Sequence, residues 1–365
     1  MSEMKKILEH IHALAQEGSE AGLPKFLELI LHYAYDQKAS DIHLESQGQN
    51  GRVRLRVDGF LKTLISFPVA LTHPLISRLK VLAELDIAER RLPQDGRFHI
   101  LINGLKLEYR LSICPTLNAE KAVIRLVNLN EKVLTLEELG LLPAQIKELQ
   151  QVLVKPHGLI LVSGPTGSGK TLTQYAMLNF LNNETHNLIS IEDPVELVLS
   201  GVNQVHVNNK AGLEFHKVLR SILRQDPDII MIGEIRDLET AEVALNAAQT
   251  GHLVLATVHA NSAWDSLLRL EHIGVPRHNL LSCVRLLLAQ RLIRHFCVVC
   301  NGNICEQCFD GFKGRTGIFE LIHVEEKRFG NLQDIRPPDY MNMRAAGLEK
   351  VKLGLTSIVE VERVI

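Results

Sequence analysis

The stretch at residues 158–171, "GLILVSGPTGSGKT", constrains this chain more than any other. An apolar run rich in β-formers enters a glycine-rich turn and leaves it as a helical pattern, so a buried strand must hand a loop to a helix N-terminus. Within it Gly164, Pro165, Thr166, Gly167, Ser168, Gly169, Lys170 and Thr171 have the G-x-x-x-x-G-K-T spacing of a phosphate-binding loop. The glycines let successive backbone N–H groups curl around phosphate oxygens, and the helix adds its positive dipole end. Lys170 would bridge the β- and γ-phosphates, and the Thr171 hydroxyl would ligate Mg²⁺. A nucleoside triphosphate is expected here.

The apolar runs that follow, "NLISIED", "DIIMIGE" and "GHLVLATVH", alternate with helical stretches. That is the pattern of a mostly parallel α/β sheet covered on both faces. Ligands of such sheets meet the C-terminal strand ends, so polar residues there are the candidates for chemistry. Gly233 occupies the place where many phosphate-loop proteins hold Mg²⁺ with an aspartate, and the acid follows as Glu234. A carboxylate just past a strand end can polarise attacking water, which makes Glu234 the candidate base. The alternative is a surface glutamate pairing with Arg236. Glu192 and Asp193 end another strand as candidates to hold Mg²⁺ through water. His259 closes a third; for His252, at the start of that strand, a structural and a functional role both stand open.

Before residue 140 the pattern differs. "SDIHLES", "GRVRLRVDGFLKTLISF", "GRFHILINGLKLEYRLSICPT" and "KAVIRLVN" alternate apolar and polar residues, with turns expected at Asp58-Gly59 and Asn103-Gly104. The chain is thus expected to run as a short helical segment (1–35), a smaller α+β domain (36–132), a linker (133–147) and an α/β domain (148–365).

A net charge of −2, aromatics at 5% and no arginine-rich track argue against direct nucleic-acid binding. The N-terminus lacks the apolar run of a signal peptide, and no segment approaches the roughly 18 apolar residues of a membrane span. A cytoplasmic chain is expected, and cytoplasmic thiols stay reduced. "FCVVCNGNICEQCF" then gives two Cys-x-x-Cys knuckles, Cys297/Cys300 and Cys305/Cys308, of the spacing that turns four thiolates onto one tetrahedral zinc. Incidental thiols and an iron–sulfur site are the competing readings. Cys114 and Cys283 lie in apolar contexts and read as core.

Taken together, "GPTGSGKT", "SIEDPVE", "LRQDPDIIMIGEIRD" and "TGHLVLATVHANSA" resemble the Walker A, Asp box, Walker B and His box of the secretion ATPase superfamily of type II secretion, type IV pilus and competence systems. "KASDIHLE", "RVDG", "LPQDGRF" and "YRLSICPT" resemble the smaller domain preceding the ATPase core in that family. The resemblance implies a RecA-like core, a PAS-like N-terminal domain and a homohexamer. It implies ATP hydrolysis powering assembly of a pseudopilus, pilus or competence fibre through a polytopic inner-membrane platform protein. The ring would lie at the inner face of the cytoplasmic membrane and touch it only through partners.

It also gives Arg97 and Arg110 a role as arginine fingers that cap the γ-phosphate on domain closure, with Arg54, Arg56 and Arg125 at other basic positions; the alternative for Arg97 and Arg110 is surface pairing with acids such as Asp95 or Glu108. The cysteine block resembles the tetracysteine loop of assembly-type members, shortened here to "NGNI" between the pairs. Retraction ATPases share the four blocks without that cluster. A regulatory homologue with little turnover is expected to have lost one of the site residues. Only about 35 residues precede "KASDIHLE", so the additional N-terminal domain of larger members is expected to be missing.

Overall fold

The computed structural model describes residues 3–17, 19–102, 104–117, 119–127, 132–208, 211–305, 308–324 and 340–365. The chain divides into two compact units, Met1–Leu129 and Asn130–Ile365.

Among the described residues, the first unit runs α1 (Glu3–Glu17), α2 (Leu23–Asp36), β1 (Asp41–Gln47), β2 (Asn50–Val57), β3 (Phe60–Pro68), α3 (Thr72–Leu82), β4 (Gln94–Ile102), β5 (Leu105–Pro115) and β6 (Glu120–Val127). Its strands form one antiparallel sheet in the order β3-β2-β1-β6-β5-β4. Asp58 and Gly59 both take positive φ (50° and 88°), the two-residue turn whose twist matches a hairpin. Of the second expected turn, Asn103 lies outside the described residues. Strand parity puts Val53 and Leu55 into the core and Arg52, Arg54 and Arg56 on the opposite face. The N-terminal helices are no separate appendage, because Ile7, Ile11, Phe26 and Ile30 share that core with the sheet.

Cys114 departs from expectation. It is exposed, because Ile113 beside it takes the buried side of β5 and period-two alternation turns Cys114 outward. Neighbouring apolar residues in sequence misled the reading.

The second unit contains α4 (Pro143–Leu153), β7 (Gly158–Ser163), α5 (Lys170–Leu181), β8 (Leu188–Glu192), β9 (Val202–His206), α6 (Phe215–Ile222), β10 (Ile229–Ile232) and α7 (Leu238–Gln249). There follow β11 (Leu253–Val258), α8 (Ala263–His272), α9 (Arg277–Cys283), β12 (Val284–Phe296), β13 (Phe312–His323), α10 (Met343–Lys352) and α11 (Ile358–Val364). The sheet order is β13-β12-β7-β11-β10-β8-β9, parallel throughout except for the β12–β13 hairpin. Alternate residues feed two cores. Leu159, Leu161, Ile230, Ile232 and Val254 face one, and Ile160, Val162, Ile229, Met231 and Leu255 face the other. Burial on both sides is why these strands read as unbroken apolar runs.

The stretch expected as a linker is bound to this unit at its C-terminal part. Gly317 N–H donates to Leu139 O (3.0 Å), and Gln145 Nε2 donates to Phe319 O (2.9 Å). Among the described residues no helix is long and apolar enough to cross a membrane.

Candidate functional site

Parallel pairing brings the C-terminal ends of β7, β8, β10 and β11 to one edge of the sheet. Ser163 lies opposite Val258, and Ile232 lies between Ala256 and Ile191. Residues 164–171, 234 and 259 follow these strands, so a sequence span of nearly a hundred residues converges there.

The loop at residues 164–170 is shaped by its glycines. Gly164, at φ 152°, passes so close to Ser168 and β12 that a Cβ would sit 2.5 Å from Ser168 Oγ and 2.7 Å from Gln290 O. Helices α7, α8, α10 and α11 each have an Asp, Ser or Asn side chain capping a backbone N–H, whereas α5 starts from left-handed Gly169 without a side-chain cap. Its first N–H groups are therefore available to an anion. Ser168 Oγ is buried and has no protein hydrogen-bond partner. The loop fits a phosphate chain.

The Lys170 ammonium crosses the loop, donating to Gly164 O (2.8 Å) and Pro165 O (3.2 Å). Burial holds its pKa below the ordinary lysine value, with the Glu234 charge opposing that and the Arg291 charge adding to it. Thr171 stands half-buried in the first turn of α5.

Glu234 is flanked on both sides. Arg236 Nε donates to Oε2 at 2.7 Å, and His259 Nε2 lies 3.0 Å from Oε1. The pairing with Arg236 that sequence offered as an alternative is thus present together with the contact to His259. Gly233 has its own reason: a Cβ there would lie 3.1 Å from Ile191 O, so the β10 end approaches β8 closely. His252 is structural, with Nδ1 2.9 Å from Ala247 O.

Glu192 lies elsewhere than the strand-end argument implied. Its carboxylate is buried, taking hydrogen bonds from the Tyr175 hydroxyl, Ser190 Oγ (2.6 Å) and Gln204 Nε2 (3.1 Å). Leu188, Ser190 and Glu192 share the β8 face that looks toward α5. The exposed acids of this segment are Asp193 and Glu196, and sequence reasoning passed over Glu196. The third acid in "EDPVE" was the available signal.

In the first unit, Arg97 and Arg110 face each other across β4 and β5, and Arg125 continues the row on β6. Arg97 is exposed, with Nη1 3.4 Å from Glu108 Oε1. Asp41 pairs with Arg56 and Arg125, and Glu45 with Arg52, Arg54 and Lys121. A buried Lys80–Glu120 pair (2.7 Å) supports the segment before β4, with Lys80 Nζ also donating to Glu89 O at 2.6 Å.

Cys297, Cys300, Cys305 and Cys308 form the tip of the β12–β13 hairpin, with all four sulfurs within 4.8 Å of one another. Sulfur–sulfur distances are 3.5 Å (Cys305–Cys308), 3.6 Å (Cys300–Cys308) and 3.9 Å (Cys297–Cys305). A tetrahedron with zinc–sulfur bonds of about 2.3 Å has edges of about 3.8 Å, so the donor set fits zinc. Desolvation raises the Cys297 pKa, but the Cys300 and Val299 N–H groups outweigh it and hold the thiol at about 7. Stacked Phe296 and Phe312 (5.1 Å between centroids) brace the base of the knuckle.

The sequence model of the family described as "Type II/IV secretion system protein" matches residues 16–363. The type IV pilus assembly ATPase PilB of Acinetobacter baylyi is 42% identical over 385 aligned positions, covering 94% of this chain and 66% of that protein. Type II secretion system protein E of Klebsiella pneumoniae is 40% identical, covering 96% of this chain and 77% of its own length. Among solved structures, the pilus retraction motor PilT with bound ADP superposes with a TM-score of 0.62 at 27% identity, covering 92% of this chain and 96% of that one. The chain therefore spans about two thirds to three quarters of the length of these curated relatives.

Proposed function

Because the chain belongs to the type II/IV secretion system protein family, we propose that it is an ATP-hydrolysing motor that powers assembly of a secretion pseudopilus, type IV pilus or competence fibre. The observation that carries this reading is the convergence of the phosphate loop, Glu234 and His259 at one sheet edge, with Glu234 fixed between His259 and Arg236. Assembly is favoured over retraction because the curated relatives at 40–42% identity are a pilus-assembly ATPase and a type II secretion protein, while the retraction motor matches at 27%.

In the mechanism, the loop backbone from Gly164 to Gly169 cradles the phosphates, and Lys170 leaves its two carbonyl partners for phosphate oxygens. Thr171 would hold Mg²⁺, which when bound offsets charge on the β- and γ-phosphates. Glu234 orients the attacking water and takes its proton. His259 beside one carboxylate oxygen and Arg236 on the other limit the side chain's rotation. Arg97 and Arg110 would supply positive charge to the γ-phosphate, a role that requires Arg97 to leave Glu108. The four cysteines would hold zinc, which when bound fixes the hairpin tip. A homohexamer acting on a polytopic membrane partner would convert closure into displacement.

The test is deletion of the gene in its native host, with return of the parent or of Lys170→Ala. The parent should restore surface fibres or secreted protein and the variant should not. Restoration by Lys170→Ala would overturn the reading.

A further inference from the structure

The Glu192 carboxylate is enclosed by other elements, and one of its partners stands on the helix that carries Lys170 and Thr171. We propose that Tyr175 and Glu192 form a positioning pair that couples the phosphate-loop helix to the acidic turn after β8, setting the geometry of hydrolysis without touching the nucleotide. The proposal rests on the ATPase reading above.

Tyr175 lies on α5, one helical turn beyond Thr171, and both it (0% exposed) and Glu192 (2%) are sealed from solvent. Its hydroxyl donates to Glu192 Oε2, while its oxygen accepts the backbone N–H groups of Glu196 (3.1 Å) and Leu197 (3.3 Å). Ser190 and Gln204 bind the other carboxylate oxygen. Gln204 closes the ring, donating to Leu197 O (3.0 Å) and accepting from Leu199 N–H (2.8 Å).

One phenol therefore joins α5, the end of β8 and the turn that presents Asp193 and Glu196. Burial, with the Glu192 charge, pushes the phenol pKa up, so the hydroxyl stays a donor. Such a network cannot slip without leaving buried groups unpaired. A shift of α5 on phosphate binding must then carry the turn with it.

The test uses Tyr175→Phe, Glu192→Gln and the double variant, reading kcat, KM for ATP and thermal midpoint on the full chain. A positioning pair predicts that each single change lowers kcat about tenfold or more with KM within about threefold, and that the double is no worse than the worse single. Tyr175→Phe with kcat within about twofold of the parent, whatever its thermal midpoint, overturns the proposal, as do single effects that multiply in the double. Should Tyr175→Phe fail to fold, Gln204→Leu is judged by the same criteria. A parent that releases no phosphate overturns the ATPase reading and this proposal together. An active parent with an unmoved Tyr175→Phe overturns only the coupling.

Discussion

Glu234→Gln separates chemistry from binding in this site. The amide keeps the volume of the carboxylate but has one acceptor where the parent has two. In the parent, Arg236 Nε (2.7 Å) and His259 Nε2 (3.0 Å) each find an oxygen. In the variant Arg236 can keep the amide oxygen, and His259 then faces a neutral NH₂ group in place of a charged oxygen, so any ion pairing on that side is lost. It also can no longer accept a proton from water. General-base losses run to about 10²–10⁴-fold in kcat, or roughly 3–5 kcal/mol of transition-state stabilisation. ATP affinity should stay within about threefold, because the phosphates are gripped by backbone N–H groups and Lys170. Phosphate release under saturating MgATP, beside equilibrium binding of a fluorescent ATP analogue, reads both quantities. A variant that keeps more than about a tenth of kcat, or loses affinity in proportion to kcat, would refute Glu234 as the base.

Other perturbations address the remaining groups. Arg97→Ala should lower kcat much more than ATP affinity, and an equal loss in both would mark it as a binding residue. Metal analysis of the purified chain should find about one zinc per protomer and clearly less in Cys305→Ser, with a lower thermal midpoint; less than half an equivalent in the parent would sink the zinc assignment. Glu45 is largely desolvated, which alone would raise its pKa, but hydrogen bonds from Arg54, Arg52 and Lys121 outweigh that and hold it at about 2. Its folded pKa lies below the ordinary carboxylate value, so its contribution is present above about pH 4.5 and lost as pH falls toward 2. Glu45→Gln should therefore cost roughly 2 kcal/mol near neutrality in denaturant titrations, with the gap to the parent closing across that window. A gap that does not change with pH would contradict this.

The phosphate loop and the parallel sheet were legible because their constraints are local. A buried strand, glycines and a lysine at fixed spacing leave little choice of geometry. Glu234 and His259 followed from a general property of open α/β sheets, that ligands meet the strand C-termini. The same rule misplaced Glu192, because position along a strand does not say which face a side chain takes. The alternation Leu188, Ser190, Glu192 assigns that face only once α5 is known to lie against it. Cys114 failed for the same reason of parity. Tyr175 could not be found from sequence at all, since an apolar helix position gives no sign that its hydroxyl meets a carboxylate seventeen residues away. The cysteine knuckle was readable from spacing alone, while the distances that fit a tetrahedron needed the hairpin that closes it.

The central claim is that this chain turns over ATP through its phosphate loop. Steady-state phosphate release by the purified full chain, with and without Mg²⁺ and beside Lys170→Ala, tests it most directly. The account predicts Mg²⁺-dependent turnover in the parent, and in Lys170→Ala a loss of about a hundredfold or more. A parent that binds MgATP without releasing phosphate, or a Lys170→Ala variant that hydrolyses as the parent does, would contradict it.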